Sequence, residues 1–398
     1  MSALGRLPES TLMPLRRDGL DPVAELGAAR ATAPVSRLSV PFGLNVWLVT
    51  GHAQAKAVLA DADSFSTDFA NLTGIGVPAA STSPGGLGFA DPPVHTRLRK
   101  LLTPEFTMRR LARVSPRITD IIDECLDGMD LSGPVDLVDG FALPIPSLVI
   151  CELLGVPYAD RQDFQRLAMA RFDMFDGAVQ PLGAISESLD YLRDVVRRQR
   201  VEPGDGLLGG IIRETGDDVS DEELAGLADG VLTGGFETTA SMLALGALVL
   251  LQDREAFQLI HDDDAASGPF VEELLRHLSV VQVAFPRFAR KDVEVDGVRI
   301  AKGDFVVVSL AGANRDPVLG SNLEVVDPTR TPVSHVAFGH GFHRCVGAEL
   351  AKMELRAAYP ALVRRYPQMR LAVPAEELEF RKASIVYGLE KLPVLVRG

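Results

Sequence analysis

Apolar residues recur along this chain in two rhythms. From Pro92 onward they fall at steps of three and four, as in RLRKLLTPEFTMRRLARVSPRITDIIDECLDGM, and that period predicts amphipathic helices. LPIPSLVICELLGVP, ADRQDFQRLAMARFDMF and AISESLDYLRDVVRRQR carry the same period. Earlier, SRLSVPF and LNVWLVT alternate Val and Leu with Gly and Pro at their ends, and later DVEVDGVRIAKGDFVVVSLAGAN alternates around Gly and Asp turns. Both patterns predict strands. The chain therefore divides into a β-rich portion at about 36–52, a helical core at about 92–280, strands at about 291–311, and a segment with a last helix over 335–366. The Gly/Ser/Pro/Ala-rich stretch from Asn71 to Phe89 reads as a long loop.

One predicted helix stands out. Ser220 with Glu223 three residues on is a capping box. From Glu222 to Gln252 the helix would span about 45 Å at 1.5 Å per residue. Its second half is nearly all apolar, which predicts burial all round. With no internal repeat and no linker, the expected fold is one large domain, mainly α with a minor β-sheet region.

Of 398 residues, 46% are apolar, enough for a large core. The net charge of −14 argues against nucleic acid as a partner, because phosphate binding needs a dense basic face. No apolar run has the length of a signal peptide or of a membrane span, so a cytoplasmic protein without a membrane anchor is expected. The three cysteines are too few and too far apart for a disulfide framework. Cys125 and Cys151 lie on apolar helical patterns and read as packing.

Cys345 is different. It sits in HVAFGHGFHRCVGAELAKMEL with Gly339, Gly341 and Gly347 around it and a helix starting just after it. Glycines permit positive φ and close backbone approach to a flat ligand, and a helix N-terminus stabilises a thiolate. A packing cysteine is one alternative, and a zinc site built from His340, His343 and Cys345 is another. Zinc would leave Phe338, Phe342 and the glycines without a role, and the usual paired ligand spacing is missing. In the long helix, Gly234-Gly235-Phe236-Glu237-Thr238-Thr239 is also unusual. Each of its two glycines costs roughly 1 kcal/mol against alanine in a helix interior. They could admit a ligand or let the helix widen. Thr238 could equally be bonded to its own preceding turn.

The run Phe338-Gly339-His340-Gly341-Phe342-His343-Arg344-Cys345-Val346-Gly347 resembles the haem-binding signature of the cytochrome P450 family at every constrained position. The resemblance implies haem b, with Cys345 as its axial ligand and Phe338, Gly339 and Gly347 shaping the segment around it. Glu273-Leu274-Leu275-Arg276 resembles the family's structural Glu-x-x-Arg pair, and Asn314-Arg315-Asp316-Pro317 another structural segment. The Gly234–Thr238 stretch is similar to the oxygen-activation motif, which gives Thr238 and Glu237 the delivery of protons to dioxygen. By the same resemblance His95, Arg99, Arg287 and His335 hold the haem propionates. The implied reaction is NAD(P)H-driven insertion of one oxygen atom into a C–H or C=C bond of a medium-sized hydrophobic molecule. Substrate would meet Asn71–Phe89, Phe172–Phe175, Leu232–Gly235, Val283–Phe285 and Ile385–Tyr387. The chain has no flavin or dinucleotide motif of its own, so electrons are expected from ferredoxin and its reductase. Arg97, Lys100, Arg109, Arg110, Arg344, Lys352 and Arg356 are expected to dock that partner. A peroxide-using haem-thiolate enzyme and a non-catalytic haem sensor are the rival readings.

Overall fold

The computed structural model describes residues 8–40, 43–68, 87–162, 164, 166 and 181–397. The chain forms two compact units, each assembled from separated stretches. One comprises Met1–Arg97, Glu272–Cys345 and Lys382–Tyr387; the other comprises Leu98–Val271, Val346–Arg381 and Gly388–Gly398.

The first unit is built on a five-stranded sheet. In spatial order its strands are Val35–Leu38, Val46–Val49, Phe305–Val308, Arg287–Ala289 and Phe65–Ser66. Val46–Val49 and Phe305–Val308 run parallel, with Val46 opposite Phe305, and the other pairs are antiparallel. The valine-rich alternation seen in the sequence thus brings two distant strands side by side. Val49, Val306 and Val308 pack with Val58, Leu59 and Phe65 into one core. Val293–Val295 and Val298–Ile300 form a hairpin, and Asp296 and Gly297 at its turn both have positive φ. That is the backbone an Asp-Gly hairpin turn supplies.

Glu273 and Arg276 are no surface pair. Arg276 is fully buried and donates from Nε and Nη2 to the two oxygens of Glu273, each at 2.8 Å. Its Nη1 donates to the carbonyls of Asn314 and Leu323. Glu273 Oε1 also accepts from Arg330 Nε at 3.0 Å and from the Asp327 N–H at 3.0 Å. A buried ion pair is tolerable only when its remaining donors and acceptors are satisfied in this way. Asn314 continues the network, accepting from the Val336 N–H at 2.7 Å. That bond fixes the chain two residues before Phe338.

The second unit is helical around Asp221–Gln252, which carries the expected capping box at Ser220 and Glu223. By length and composition this helix could cross a membrane, but 78% of its apolar window is buried within the fold, as in a core helix. Pro144–Leu154, Pro181–Val201 and the last helix, Ala348–Arg365, pack against it. Tyr359 of the last helix donates to the Met242 carbonyl at 2.5 Å, and Gly246 makes room for its ring. A three-stranded sheet, Arg370–Leu371, Pro393–Leu395 and Val135–Asp136, completes the unit.

Prolines break the long helical signal after Pro92. It becomes Val94–Leu102, a 3-10 turn at Thr103–Phe106 holding Pro104, then Met108–Leu111 and Ser115–Asp127 with Pro116 in its first turn. Proline suits a first turn and disrupts a helix interior. The expected helix ADRQDFQRLAMARFDMF falls mostly outside the described residues.

One buried group costs stability. Glu354 on the last helix is 3% exposed, and among the described residues its Oε2 has no hydrogen-bond partner. Burial pushes its carboxyl from the ordinary 4.5 up to about 8. The folded protein therefore keeps Glu354 protonated between pH 4.5 and about 8, whereas the unfolded chain ionises it there. Stability falls across that window as pH rises, at a slope approaching 1.4 kcal/mol per pH unit, roughly, for this group alone. Glu354→Gln should therefore unfold at a higher temperature than the parent at pH 7.5, with the difference vanishing near pH 4. Thermal unfolding followed by circular dichroism across that range checks it.

Candidate active site

The cysteine segment is shaped by its glycines. Gly339 and Gly341 have φ of +70° and +72°. A Cβ on Gly341 would stand 2.5 Å from the Leu59 carbonyl oxygen and 2.8 Å from Ala60 Cα. Only glycine fits both the angle and the space. The segment folds back so that the Cys345 N–H donates to the Phe338 carbonyl at 2.9 Å. Cys345 is partly exposed. The last helix starts at Ala348, three residues further along the chain. Burial pushes the thiols of Cys125 and Cys151 up to about 12, in keeping with inert packing. Among the described residues, no group of three or more His, Cys, Asp or Glu is placed to hold a metal ion.

In the same unit His95 is buried, and its ring centroid lies 4.4 Å from that of His343 and 5.2 Å from that of Phe342. Thr67 Oγ1 lies 3.2 Å from His343 Nε2. Asp91 ties this cluster together. Its carboxylate accepts from Ser66 Oγ, from the Thr67 N–H and from Arg290, while its carbonyl accepts from the His95 N–H. Burial alone would raise the Asp91 carboxyl, but the bonds from Ser66, Thr67 and Arg290 outweigh it and hold the group below the usual carboxylate range.

Arg287 is 2% exposed and donates from Nη1 to the Phe285 carbonyl at 2.9 Å. Burial lowers its guanidinium to about 10. Among the described residues no carboxylate bonds it. The charge of Asp91 acts on it only from a distance, and a buried guanidinium with no bonded anion is costly, so these residues fit a ligand that brings its own carboxylates, as haem does. His335 is placed differently. Its Nε2 lies 3.2 Å from Glu272 Oε2, and its Nδ1 accepts from the Ala337 N–H. Both ring nitrogens are thus engaged by the protein, and His335 stands outside the His95–His343 cluster. His343, read from sequence as part of the Phe338–Gly347 signature and as a zinc alternative, is the histidine that lies beside His95. Its position two residues before Cys345 was the available signal.

The second unit carries the remaining residues. Arg99 is half-buried on Val94–Leu102, one turn beyond His95 on the same helix face. Thr238 Oγ1 donates to the Gly234 carbonyl at 2.8 Å, the local bond to the preceding turn. The helix stays α-helical across Gly234 and Gly235 and does not widen there. Gly235 instead admits Ile150, whose Cδ1 would lie 3.2 Å from an added Cβ. Glu237 is buried and accepts from Arg381 Nη1 at 3.0 Å. Arg381 had no local sequence signal, being 144 positions from its partner.

Of the expected substrate-lining stretches, residues 71–86 and Phe172–Phe175 lie outside the described residues. Leu232 is buried, whereas Gly234 is exposed. Phe285 and Ile385 of the first unit are exposed apolar side chains, and Phe285 packs edge-on against Phe89. The Gln282 N–H donates to the Ile385 carbonyl at 3.0 Å, which joins the two stretches.

The cytochrome P450 family profile matches residues 269–377. Cytochrome P450 165B3 of Amycolatopsis orientalis is 40% identical over 389 residues, covering 96% of this chain and 97% of that protein. The 6-deoxyerythronolide B hydroxylase of Saccharopolyspora erythraea is 38% identical, covering 93% of this chain and 94% of that one. Among solved structures, the complex of the X-domain and OxyB from teicoplanin biosynthesis is similar with a TM-score of 0.86 and 40% identity, over 96% of this chain and 99% of that one. At such identity over nearly the whole length, the chain belongs to the cytochrome P450 family, whose members are haem b monooxygenases.

Proposed function

We propose that this enzyme inserts one oxygen atom of O2 into a medium-sized hydrophobic molecule, by hydroxylation or epoxidation, with electrons passed from NAD(P)H through a ferredoxin and its reductase. The observation that carries this reading is the Phe338–Cys345 segment. Gly341 is pressed against Leu59 and Ala60, and a cysteine lies at its end, in the same unit as buried basic groups that fit two carboxylates. When bound, haem supplies the activation of O2 that delivers one atom to substrate and releases the other as water.

The chain's own residues divide the remaining work. Cys345 would supply the sulfur ligand to the haem iron, as a thiolate of the kind that donates electron density to the metal. His95, Arg99 and Arg287 take the propionates, and His343 joins them where His335 was expected, because His335 is engaged by Glu272. The Thr238 hydroxyl gives up its bond to Gly234 to donate toward oxygen, and Glu237 resupplies the proton, which is general acid work. Phe285 and Ile385 offer apolar contact, which supports a hydrophobic substrate. The 6-deoxyerythronolide B hydroxylase is a relative whose name states such an oxygenation. Screening compounds for the spin-state shift of the haem absorption band tests the substrate class. A panel of apolar molecules should give shifts and small charged ones none, and the reverse pattern would overturn it.

Thr238→Ala should keep haem binding and substrate affinity while product per NAD(P)H falls by about tenfold or more and hydrogen peroxide rises. Unchanged coupling would remove Thr238 from the proton path. Arg97 and Arg344 are exposed on the first unit, and Lys100, Arg109 and Arg356 on the second. Arg110 is drawn into ion pairs with Glu105 and Glu214, and Lys352 into one with Glu349. On a chain of net charge −14, the exposed cations attract an acidic redox partner. Raising salt from about 0.05 to about 0.5 M should slow reduction by ferredoxin several-fold. Stopped-flow reduction measures this, and a salt-independent rate would contradict it.

A further inference from the structure

The carboxylate of Glu237 is gripped from a distant part of the chain. Arg381 Nη1 donates to its Oε1 at 3.0 Å, and the two side chains are only 7% and 9% exposed. Charges that have lost most of their water interact more strongly than the same pair on a surface.

The guanidinium is confined on its other side as well. Phe380 bridges to Leu389 in an antiparallel turn-back of the chain, and the Arg381 N–H donates to the Gly388 carbonyl at 2.9 Å. A Cβ on Gly388 would stand 2.9 Å from Arg381 Nη2, 3.0 Å from its Cζ and 2.8 Å from Ser241 Oγ. Glu237 and Ser241 are one turn apart and share a helix face. That face, the guanidinium and the bare backbone of Gly388 therefore form one packed layer within the second unit. Any side chain at 388 would have to displace the arginine or the serine.

We propose that Arg381 is a positioning residue for Glu237, and that Gly388 leaves the space that keeps its guanidinium there. Arg381 holds the acid of the long helix as a fixed carboxylate, so that protons pass through one geometry. This rests on the reading of Glu237 as a proton carrier. A guanidinium that merely braced two elements would need only to fill volume. One that sets the state of Glu237 must carry charge at that spot, and a second cation of similar length should replace it.

The test uses the haem-loaded ferric protein carrying 13C-labelled glutamate, with Glu237→Gln subtracted to isolate one carboxyl band in the infrared. Arg381→Met should raise the midpoint of the Glu237 titration by about one pH unit or more. Arg381→Lys should restore most of the difference. Gly388→Ala, which displaces the guanidinium without removing its charge, should move the midpoint part of the way, and it serves where Arg381→Met fails to fold. In turnover, Arg381→Met should raise the solvent isotope effect on product formation, and Arg381→Lys should lower it again. An unchanged Glu237 band in Arg381→Met and Gly388→Ala would overturn the proposal. If Glu237→Gln itself leaves coupling and the solvent isotope effect unchanged, the proton-carrier reading fails. The infrared result then still decides whether Arg381 governs that carboxyl.

Discussion

A cysteine can serve as a metal ligand in a fixed place only if the backbone carrying it is fixed, and here that constraint falls on Gly341. Its positive φ and its contact with the Leu59 carbonyl leave no room for a side chain. The bond from the Cys345 N–H to Phe338 then closes the segment on itself. Further back, Asn314 holds Val336, and the carbonyl of Asn314 accepts from Arg276. A chain of backbone and side-chain bonds thus leads from the buried Glu273–Arg276 pair to the cysteine segment within one unit. The Glu-x-x-Arg motif acts on the chemistry through this chain, with no part in the reaction itself.

Two buried arginines of this unit show how the site is set apart from the scaffold. Arg276 has its carboxylate, and Glu273 in turn accepts from Arg330 and from the Asp327 N–H, so the pair's hydrogen-bonding groups are satisfied within the scaffold. Arg287 is almost as deeply buried, and it donates to the neutral carbonyl of Phe285. Burial of a cation with no bonded anion opposes folding, which fits a member of a family that binds haem, a dianionic ligand. A ligand held by these groups would add stability through the same contacts that orient it. Asp91 contributes by holding Ser66, Thr67 and Arg290, which sets the backbone and the ring positions around His95 and His343.

Much of this was legible in the sequence because it is local. The capping box at Ser220, the Asp-Gly hairpin at Asp296, the glycines before Cys345 and the burial of Ser241–Leu250 each follow from neighbours within a few residues. What sequence could not supply was long-range pairing. Nothing near Glu237 announces Arg381, and nothing near His335 announces that Glu272 occupies its ring. The prolines at 104 and 116 were visible, but apolar periodicity runs straight through them, so one helical signal became three helices and a turn. Gly235 was read as an opening for a ligand and proves to face Ile150. A glycine in a helix marks close approach, and the sequence does not say of what.

A bond from the sulfur of Cys345 to haem iron would be read directly in the absorption spectrum of the reduced carbonyl adduct. Thiolate ligation predicts the strongly red-shifted Soret band characteristic of a sulfur ligand opposite carbon monoxide, lost on Cys345→Ser. A parent spectrum of the histidine-ligated type, or an unaltered spectrum in Cys345→Ser, would contradict the account.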